Sequence, residues 1–274
     1  MIIFSNCKIN LGLKILRKRA DGYHDLETVF YPVPMKDAIE VIRIEQAPMA
    51  FSQSGLMVDG EPAQNLCMKA YNLLQRSYEL PPVQLHLHKT VPLGSGLGGG
   101  SANAAFTLQL LNRKFNLNLT TDQLLDLALQ LGSDCPFFIV NKPCIATGRG
   151  ELMEMIDLSH LQGFKLGVIH PGIHISTAWA FSEIRPTENR YAVRDAISEP
   201  VKSWKEILIN DFEAAVFKAH PEIAGIKQTL YDKGAIYASM SGSGSAVFGL
   251  FEELPALDFP KYRVDLFDLA PLSA

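Results

Sequence analysis

Apolar residues alternate with polar ones at Ile9, Leu11, Leu13 and Ile15, again through Ile39, Val41, Ile42 and Ile44, and at Val83, Leu85 and Leu87. A period of two turns one face of an extended chain toward a core, so each run predicts a half-buried strand. Elsewhere the spacing is helical. Leu66, Ala70, Leu73, Leu74 and Tyr78 share one face of a helix from about Leu66 to Tyr78, and Ala104, Ala105, Leu108, Leu111 and Phe115 share one face of a helix from Ser101 to Phe115. A third helix starts from the capping run Thr120-Thr121-Asp122 and stops at Gly132. The short apolar runs Phe137 to Val140 and Ile145 to Thr147 read as strands. After Gly148-Arg149-Gly150 the cycle begins again: a strand at Lys165 to His170, helices near Thr177 to Ile184, Asp211 to Ala219 and Glu222 to Lys233, and paired strands at Ala235 to Met240 and Ala246 to Phe251. The polar, proline-bracketed stretch from Arg185 to Pro200 predicts a loop. This grouping predicts an α+β protein of two domains, residues 1–150 and 151–274.

Composition narrows the function classes. Of the 274 residues, 47% are hydrophobic and 20% charged, and the net charge of −4 argues against a basic nucleic-acid groove. Small-molecule partners are favoured over nucleic acid or membrane. The start, MIIFSNCKINLGLK, lacks the basic flank and apolar core of a secretory leader, and no apolar run is long enough to span a bilayer, so a cytoplasmic protein is expected. Cys7, Cys67, Cys135 and Cys144 are widely spaced with no CxxC pair, which predicts reduced, buried thiols.

Candidate chemistry centres on a crowding of glycine. Five of the chain's 20 glycines fall between residues 94 and 100, after the strand ending near Lys89 and before the helix predicted from Ser101. Glycines let backbone N–H groups converge on one point, and a helix start adds partial positive charge there, a setting suited to phosphate. Gly94, Gly96 and Gly99 satisfy G-x-G-x-x-G, but the acidic ribose ligand of a dinucleotide site would fall at Thr120 to Asp122, which reads as a helix cap. An NAD-dependent oxidoreductase is thus a weak alternative. The lysine-bearing P-loop pattern is absent as well.

The run Pro92 to Ala102 resembles the central motif of the GHMP kinases, the small-molecule kinases named for galactokinase, homoserine kinase, mevalonate kinase and phosphomevalonate kinase. Lys8-Ile9-Asn10-Leu11 and Ser239 to Phe248 resemble the first and third motifs of that superfamily, in the same order. Arg19 to His24, Asn65-Leu66, Gly132 to Pro136 and Gly148 to Glu151 are similar to the branch whose acceptor is a cytidine-diphosphate-linked sugar alcohol. The resemblance implies a two-domain GHMP kinase fold, with an N-terminal domain like the second domain of ribosomal protein S5, a ferredoxin-like C-terminal domain and the site in a cleft. It also implies ATP with Mg²⁺ as phosphoryl donor. A kinase for another alcohol, such as homoserine or a mevalonate derivative, and a non-catalytic nucleotide sensor are the alternatives within the fold.

Each implied role has a plainer reading beside it. Asp134 follows a helix and would by itself be a turn or capping residue; the resemblance makes it the group that orients or deprotonates the attacking hydroxyl. Lys8, by itself a solvated strand residue, is placed beside Asp134 to stabilise the transferred phosphoryl. The ATP-binding positions are Pro92, Leu93, Gly94, Ser95, Gly96, Leu97, Gly98, Gly99, Gly100, Ser101 and Ala102, with Asn65, Leu66 and Lys89 near the nucleoside. Ser101 is the candidate metal contact and, from pattern, the helix N-cap. Tyr23 and His24 follow the Asp21-Gly22 turn and present an aromatic face with an imidazole, groups that recognise a base by stacking and edge hydrogen bonds. The resemblance places the cytosine between Tyr23 and Phe181 with His24 on its edge, and puts Asn10 and Thr177 on the acceptor's hydroxyls or diphosphate. Gly242 and Gly244, which alone would mark a hairpin turn, are implied to close around the substrate phosphates. After Phe251 the expected helix is short and interrupted by Pro255.

Overall fold

Strand β1 (Ile2–Lys18) buries Ile9, Leu11, Leu13 and Ile15 as the alternation predicts, and also buries the polar residues Lys8 and Asn10. The computed structural model describes residues 1–45, 48–58, 60–184 and 191–269. Two compact units interleave along the chain. The first comprises Met1–Lys8, Pro32–Leu93 and Gly98–Asn141, and the second Ile9–Tyr31, Gly94–Leu97 and Lys142–Ala274. A single boundary near residue 150 is therefore not how the packing divides the chain: the strand pair at the N-terminus contributes residues to both units.

In the first unit, the C-terminal half of β2 (His24–Arg43) pairs antiparallel with β4 (Val83–Lys89), from Ala38 opposite His88 to Arg43 opposite Val83. Strand β3 (Ala50–Gly55) lies parallel on the other side of β4, and α1 (Leu66–Gln75) is the intervening crossover helix. The sequence pattern did not reveal β3, a six-residue strand with intermediate burial at most positions. Helix α3 (Thr121–Leu131) has the predicted cap: Thr120 and Gln123 form a reciprocal capping box, and Gly132 ends the helix. Helix α2 (Gly99–Phe115) begins two residues earlier than predicted, with Gly98 in the left-handed region (φ 69°) as its N-cap, so Ser101 is the third helical residue and not the cap. The apolar run Phe137 to Val140 is no strand; it is helix α4 (Cys135–Val140), started by Pro136 and stopped by left-handed Asn141. Four consecutive apolar residues carry no period of their own, so these two terminators decide the conformation.

A buried carboxylate ties the elements of this unit. Asp37 is fully buried on β2; its Oδ1 accepts from the Thr90 and Val91 amides at 2.7 and 2.8 Å, and its Oδ2 accepts from Asn103 Nδ2 at 2.9 Å and pairs with Lys89 Nζ. Asn103, itself buried on α2, also donates to Ser5 Oγ on β1 at 2.8 Å. β2, the end of β4 and the first turns of α2 thus share one anion. A buried charge is tolerated only with partners that satisfy it.

In the second unit, the N-terminal half of β2 pairs with β5 (Cys144–Gly148), which pairs with β6 (Leu152–Met155). A separate antiparallel sheet runs β10-β7-β9-β8, built from β7 (Lys165–His170), β8 (Tyr237–Met240), β9 (Val247–Phe251) and β10 (Arg263–Asp268). Counted within this sheet the order is 4-1-3-2, the ferredoxin-like arrangement. Helices α5 (Thr177–Glu183), α6 (Val193–Ser198), α7 (Trp204–Ile207), α8 (Phe212–Ala219) and α9 (Pro221–Asp232) fill the connection from β7 to β8. Helix α6 falls inside the stretch expected to be a loop; of that stretch, residues 185–190 lie outside the described residues. No helix stands between β9 and β10. Leu257, Phe259 and Tyr262 pack from this connection onto the core, and Leu257 lies over Gly167, which pairs with Gly249 across the sheet. All four cysteines are free and buried, and burial pushes each thiol up to about 12.

Replacing Asp37 by Ala strands the Lys89 ammonium in the core and is expected to cost about 3–5 kcal/mol in urea unfolding. The double variant Asp37→Asn, Lys89→Met, which leaves no unpaired charge, should recover a large part of that loss.

Candidate active site

Around the glycine run, the first unit brings the catalytic candidates together. The Asp37 network sits directly under the start of α2: a Cβ on Gly99 would lie 2.9 Å from Lys89 Nζ and 3.0 Å from Val91 Cγ1. One on Gly98 would meet Phe138 at 3.1 Å and Lys8 Cε at 3.2 Å. Lys8 is 4% exposed and its Nζ lies 3.7 Å from Asp134 Oδ2, while Asp134 is 35% exposed. Asp134 occupies the N-cap position of α4, yet its side chain makes no capping hydrogen bond, so the carboxylate faces Lys8 instead of serving the helix. Lys8 is not a solvated strand residue. Burial holds its pKa below the ordinary lysine range, with the Asp134 charge pulling the other way.

Helix α2 opens on Gly98, Gly99 and Gly100 without a side-chain capping hydrogen bond, leaving its first-turn amides to be met by a ligand. These groups fit a phosphate chain. Ser101 follows in the first turn, its hydroxyl beside the Cys135 thiol. Among the described residues, no group of three or more His, Cys, Asp or Glu is arranged to hold a metal ion.

The nucleoside candidates divide. Asn65 caps α1 through the Cys67 amide at 2.9 Å and also lines a cavity of about 230 Å³ with Phe51, Gln53, Val58 and Pro62. Leu66 lies against Gly100. Lys89, expected near the nucleoside, is instead 1% exposed and spent on Asp37.

The second unit holds the other end of the glycine run. Gly96 (φ 77°) has no room for a Cβ, which would overlap the Ser241 carbonyl oxygen. Ser241 Oγ donates to the Gly96 carbonyl at 2.9 Å, and the Ala246 amide donates to the Ser95 carbonyl at 3.1 Å. The turn between β8 and β9 is therefore a hairpin connection that also clasps residues 94–97. Asn10 is buried against it: its backbone N–H donates to Ser241 Oγ at 3.3 Å, and its Nδ2 donates to Thr28 Oγ1 at 2.9 Å. Gly242 also abuts Gly96 and Asn10, Gly244 packs against Met240, and Thr177 Oγ1 lies 3.0 Å from Ser243 Oγ. Asn10, Thr177, Gly242 and Gly244 thus all lie at the turn between β8 and β9.

The base-recognition candidates are arranged differently from the expectation. In the turn between β1 and β2, Asp21 Oδ1 accepts the Tyr23 amide at 3.1 Å and Gly22 takes φ 87°. Tyr23 is 54% exposed, and the Arg149 guanidinium covers its ring at 4.9 Å from the centroid. Phe181 is stacked on His24, with centroids 4.7 Å apart and planes within 15°. Tyr23 and Phe181 therefore do not form an open pair for a base, because the imidazole occupies a face of Phe181. The His24 pKa is held below the usual histidine value, by burial first and by Lys18 second, which favours a neutral ring. Sequence reasoning singled out the motif carrying Arg149 but gave that residue no role; an Arg bounded by two glycines was the available signal. It gave no role to Asp37 or Asn210 either, since an isolated Asp or Asn in an apolar setting looks like any other.

Residues 65–142 match the family model of the GHMP kinases N terminal domain, and residues 193–259 match that of the GHMP kinases C terminal region. A 4-diphosphocytidyl-2-C-methyl-D-erythritol kinase from Bacteroides fragilis is 52% identical over 94% of this chain and 96% of its own length. The protein of the same name from Cytophaga hutchinsonii is 46% identical over 93% of this chain and 94% of its own. A crystal structure of 4-(cytidine 5'-diphospho)-2C-methyl-D-erythritol kinase aligns with a TM-score of 0.77 at 29% identity, covering 91% of this chain and 90% of that one. The mevalonate kinase of Methanococcus jannaschii shares the fold, with a TM-score of 0.69 at 14% identity over 92% of this chain and 90% of that one. The dinucleotide alternative falls here, since the position required for its ribose ligand is the N-terminus of α3. By sequence, fold and site geometry, the chain belongs to the GHMP kinases and, among them, to the family of 4-diphosphocytidyl-2-C-methyl-D-erythritol kinases.

Proposed function

We propose that the protein transfers the γ-phosphoryl group of ATP to the 2-hydroxyl of 4-diphosphocytidyl-2-C-methyl-D-erythritol, giving the 2-phosphate and ADP in the methylerythritol phosphate route to isoprenoid precursors. The observation that carries this reading is the Lys8–Asp134 pair, 3.7 Å apart, with Lys8 against Gly98 at the start of α2. The 52% identical relative of the same name supports the choice of acceptor.

In the reaction the acceptor oxygen forms a bond to the γ-phosphorus, the bond to the β–γ bridging oxygen breaks, and the hydroxyl proton leaves. Such a transfer depends on positioning and on charge stabilisation more than on covalent help from the protein. Asp134, partly exposed and not spent on its helix, orients the hydroxyl and takes its proton. Lys8 supplies positive charge to the transferred oxygens, and its burial limits screening by water. On this reading the α2 amides and the glycine run receive the phosphates of ATP, and Ser101, in the first turn of α2, would contact the accompanying Mg²⁺. That ion neutralises phosphate charge when bound. Tyr23, backed by Arg149, offers the cytosine a stacking face, and His24, held by Phe181, offers a hydrogen-bonding edge. On this reading residues 1–150 are mainly the ATP-binding part and 151–274 the substrate-side part. A cytoplasmic location is part of this proposal, since the reaction needs ATP; no helix among the described residues is long and apolar enough to cross a membrane.

An ADP-release assay with the cytidine-diphosphate acceptor tests the reaction directly. Asp134→Asn should lower kcat by roughly 10²- to 10⁴-fold, the range for loss of a general base. Full activity in that variant would remove Asp134 from its role. Tyr23→Ala should raise the acceptor KM roughly 5- to 150-fold, the equivalent of about 1–3 kcal/mol for one base–aromatic stack, with little change for ATP. A kinase acting on homoserine or a mevalonate derivative would be almost indifferent to this change. Because Lys8 must be protonated to act and its pKa is lowered, kcat should fall on the alkaline side below the ordinary lysine range. Lys8→Met should abolish that limb along with most of the activity.

A further inference from the structure

We propose that Asn210 is a positioning residue that aims the Ser243 amide of the turn between β8 and β9 at substrate phosphate. Asn210 is 1% exposed, and its Nδ2 donates to the carbonyls of Met240 at 2.7 Å and Gly242 at 2.8 Å, while its Oδ1 accepts the Phe212 amide at 3.0 Å. Both amide hydrogens and the carbonyl oxygen are engaged, so the side chain has one orientation; a flipped amide would set its oxygen against two carbonyl oxygens.

The geometry of the peptide unit extends this to the loop. In a trans peptide the C=O and the following N–H point in opposite directions. Drawing the Met240 carbonyl toward Asn210 turns the Ser241 N–H the other way, where it donates to the Ala246 carbonyl at 2.9 Å. Drawing the Gly242 carbonyl toward Asn210 likewise turns the Ser243 N–H away from the interior. Ser243 is the half-exposed residue of this otherwise buried turn, and its hydroxyl adjoins Thr177. The outward side of the loop thus presents a backbone donor and two hydroxyls, a group suited to a phosphate oxygen.

Asn210 is itself held from behind. The Leu13 amide donates to the Ile209 carbonyl at 3.0 Å, and the Asp211 amide to the Leu13 carbonyl at 2.8 Å. Asp211 Oδ2 accepts the Ile15 amide at 2.8 Å, and buried Glu213 accepts the Met240 amide at 2.9 Å and pairs with Lys227 at 2.6 Å. Asp211 accepts the Ile15 amide of β1 and Glu213 the Met240 amide of β8, whereas Asn210 donates to the Met240 carbonyl at the end of β8 and to the Gly242 carbonyl inside the turn. That difference assigns Asn210 to loop geometry beyond scaffold stability.

The inference rests on the kinase reading, and the test separates the two. Binding of cytidine 5'-diphosphate and of cytidine is measured by calorimetry for the full-length wild type, Asn210→Asp and Asn210→Ser, beside acceptor turnover. Asn210→Asp keeps the shape but turns a donor into an acceptor; Asn210→Ser keeps one donor and covers the case in which the first variant does not fold. The expected result is a loss of about 10-fold or more in affinity for the diphosphate, with cytidine affinity unchanged within about two-fold, because only the former loses a charged hydrogen bond. Equal losses for both ligands, or no loss for the diphosphate, overturn the positioning role while wild-type turnover leaves the kinase reading intact. A wild type unable to phosphorylate the acceptor sinks that reading, and this proposal with it.

Discussion

The carboxylate of Asp37 is the constraint from which the course of the chain around the glycine run follows. A fully buried anion cannot be left to find partners by chance, and here the partners come from the strand leading into the glycine run and from the helix leaving it. Because the Thr90 and Val91 amides and the Asn103 side chain converge on the same two oxygens, the chain must turn back over itself between residues 91 and 103. The glycines make that return possible. Gly99 lies so near Lys89 Nζ that any side chain there would displace the ion pair supporting the loop. The cost of burying charge is thereby converted into loop rigidity, and rigid donors are what an electrostatic site for phosphoryl transfer requires.

A second support, of different chemistry, acts on residues 94–97. Instead of a charge, the turn between β8 and β9 offers hydroxyls and backbone groups: Ser241 to the Gly96 carbonyl, Ala246 to the Ser95 carbonyl. These bonds are individually modest. Their effect lies in number and in the absence of side chains between the two loops, with Gly96 and Gly242 in direct backbone contact. One glycine run is thus held at its ends by different means, by an ionic network toward α2 and by neutral hydrogen bonds toward Gly94.

Much of this was legible in the sequence, and the exceptions share a cause. The three glycine-rich motifs, the Thr120 capping box and the alternation in β1, the second half of β2 and β4 are local signals whose meaning depends on neighbours within a few residues. Lys8 and Asp134 were legible only through resemblance, being 126 positions apart and each ordinary in its own surroundings. Asp37 and Asn210 were not legible, because Lys89 and Asn103 for the one and the Met240 and Gly242 carbonyls for the other lie 30 or more residues away, and the local bond of Asn210 to the Phe212 amide is what any capping Asn would make. The stacking of His24 on Phe181 was missed for a further reason: a motif names residues but not the rotamers they adopt. Helix α4 was misread because its four apolar residues fit either period, and the decisive signals were its terminators.

Strand β1 carries a further consequence. Its odd positions, Cys7, Ile9, Leu11 and Leu13, are core residues, whereas its even positions hold Asn6 for Asn141, Lys8 for Asp134 and Asn10 for Thr28. Successive side chains of a strand point to opposite faces, so packing and chemistry are written on alternate letters of the same stretch. A slip of one residue would bring Ile9 to the place of Lys8 and drive a lysine into the hydrocarbon interior. Pairing errors in this strand would therefore be penalised by the burial of charge before any substrate arrived, which makes its register self-proofreading during folding.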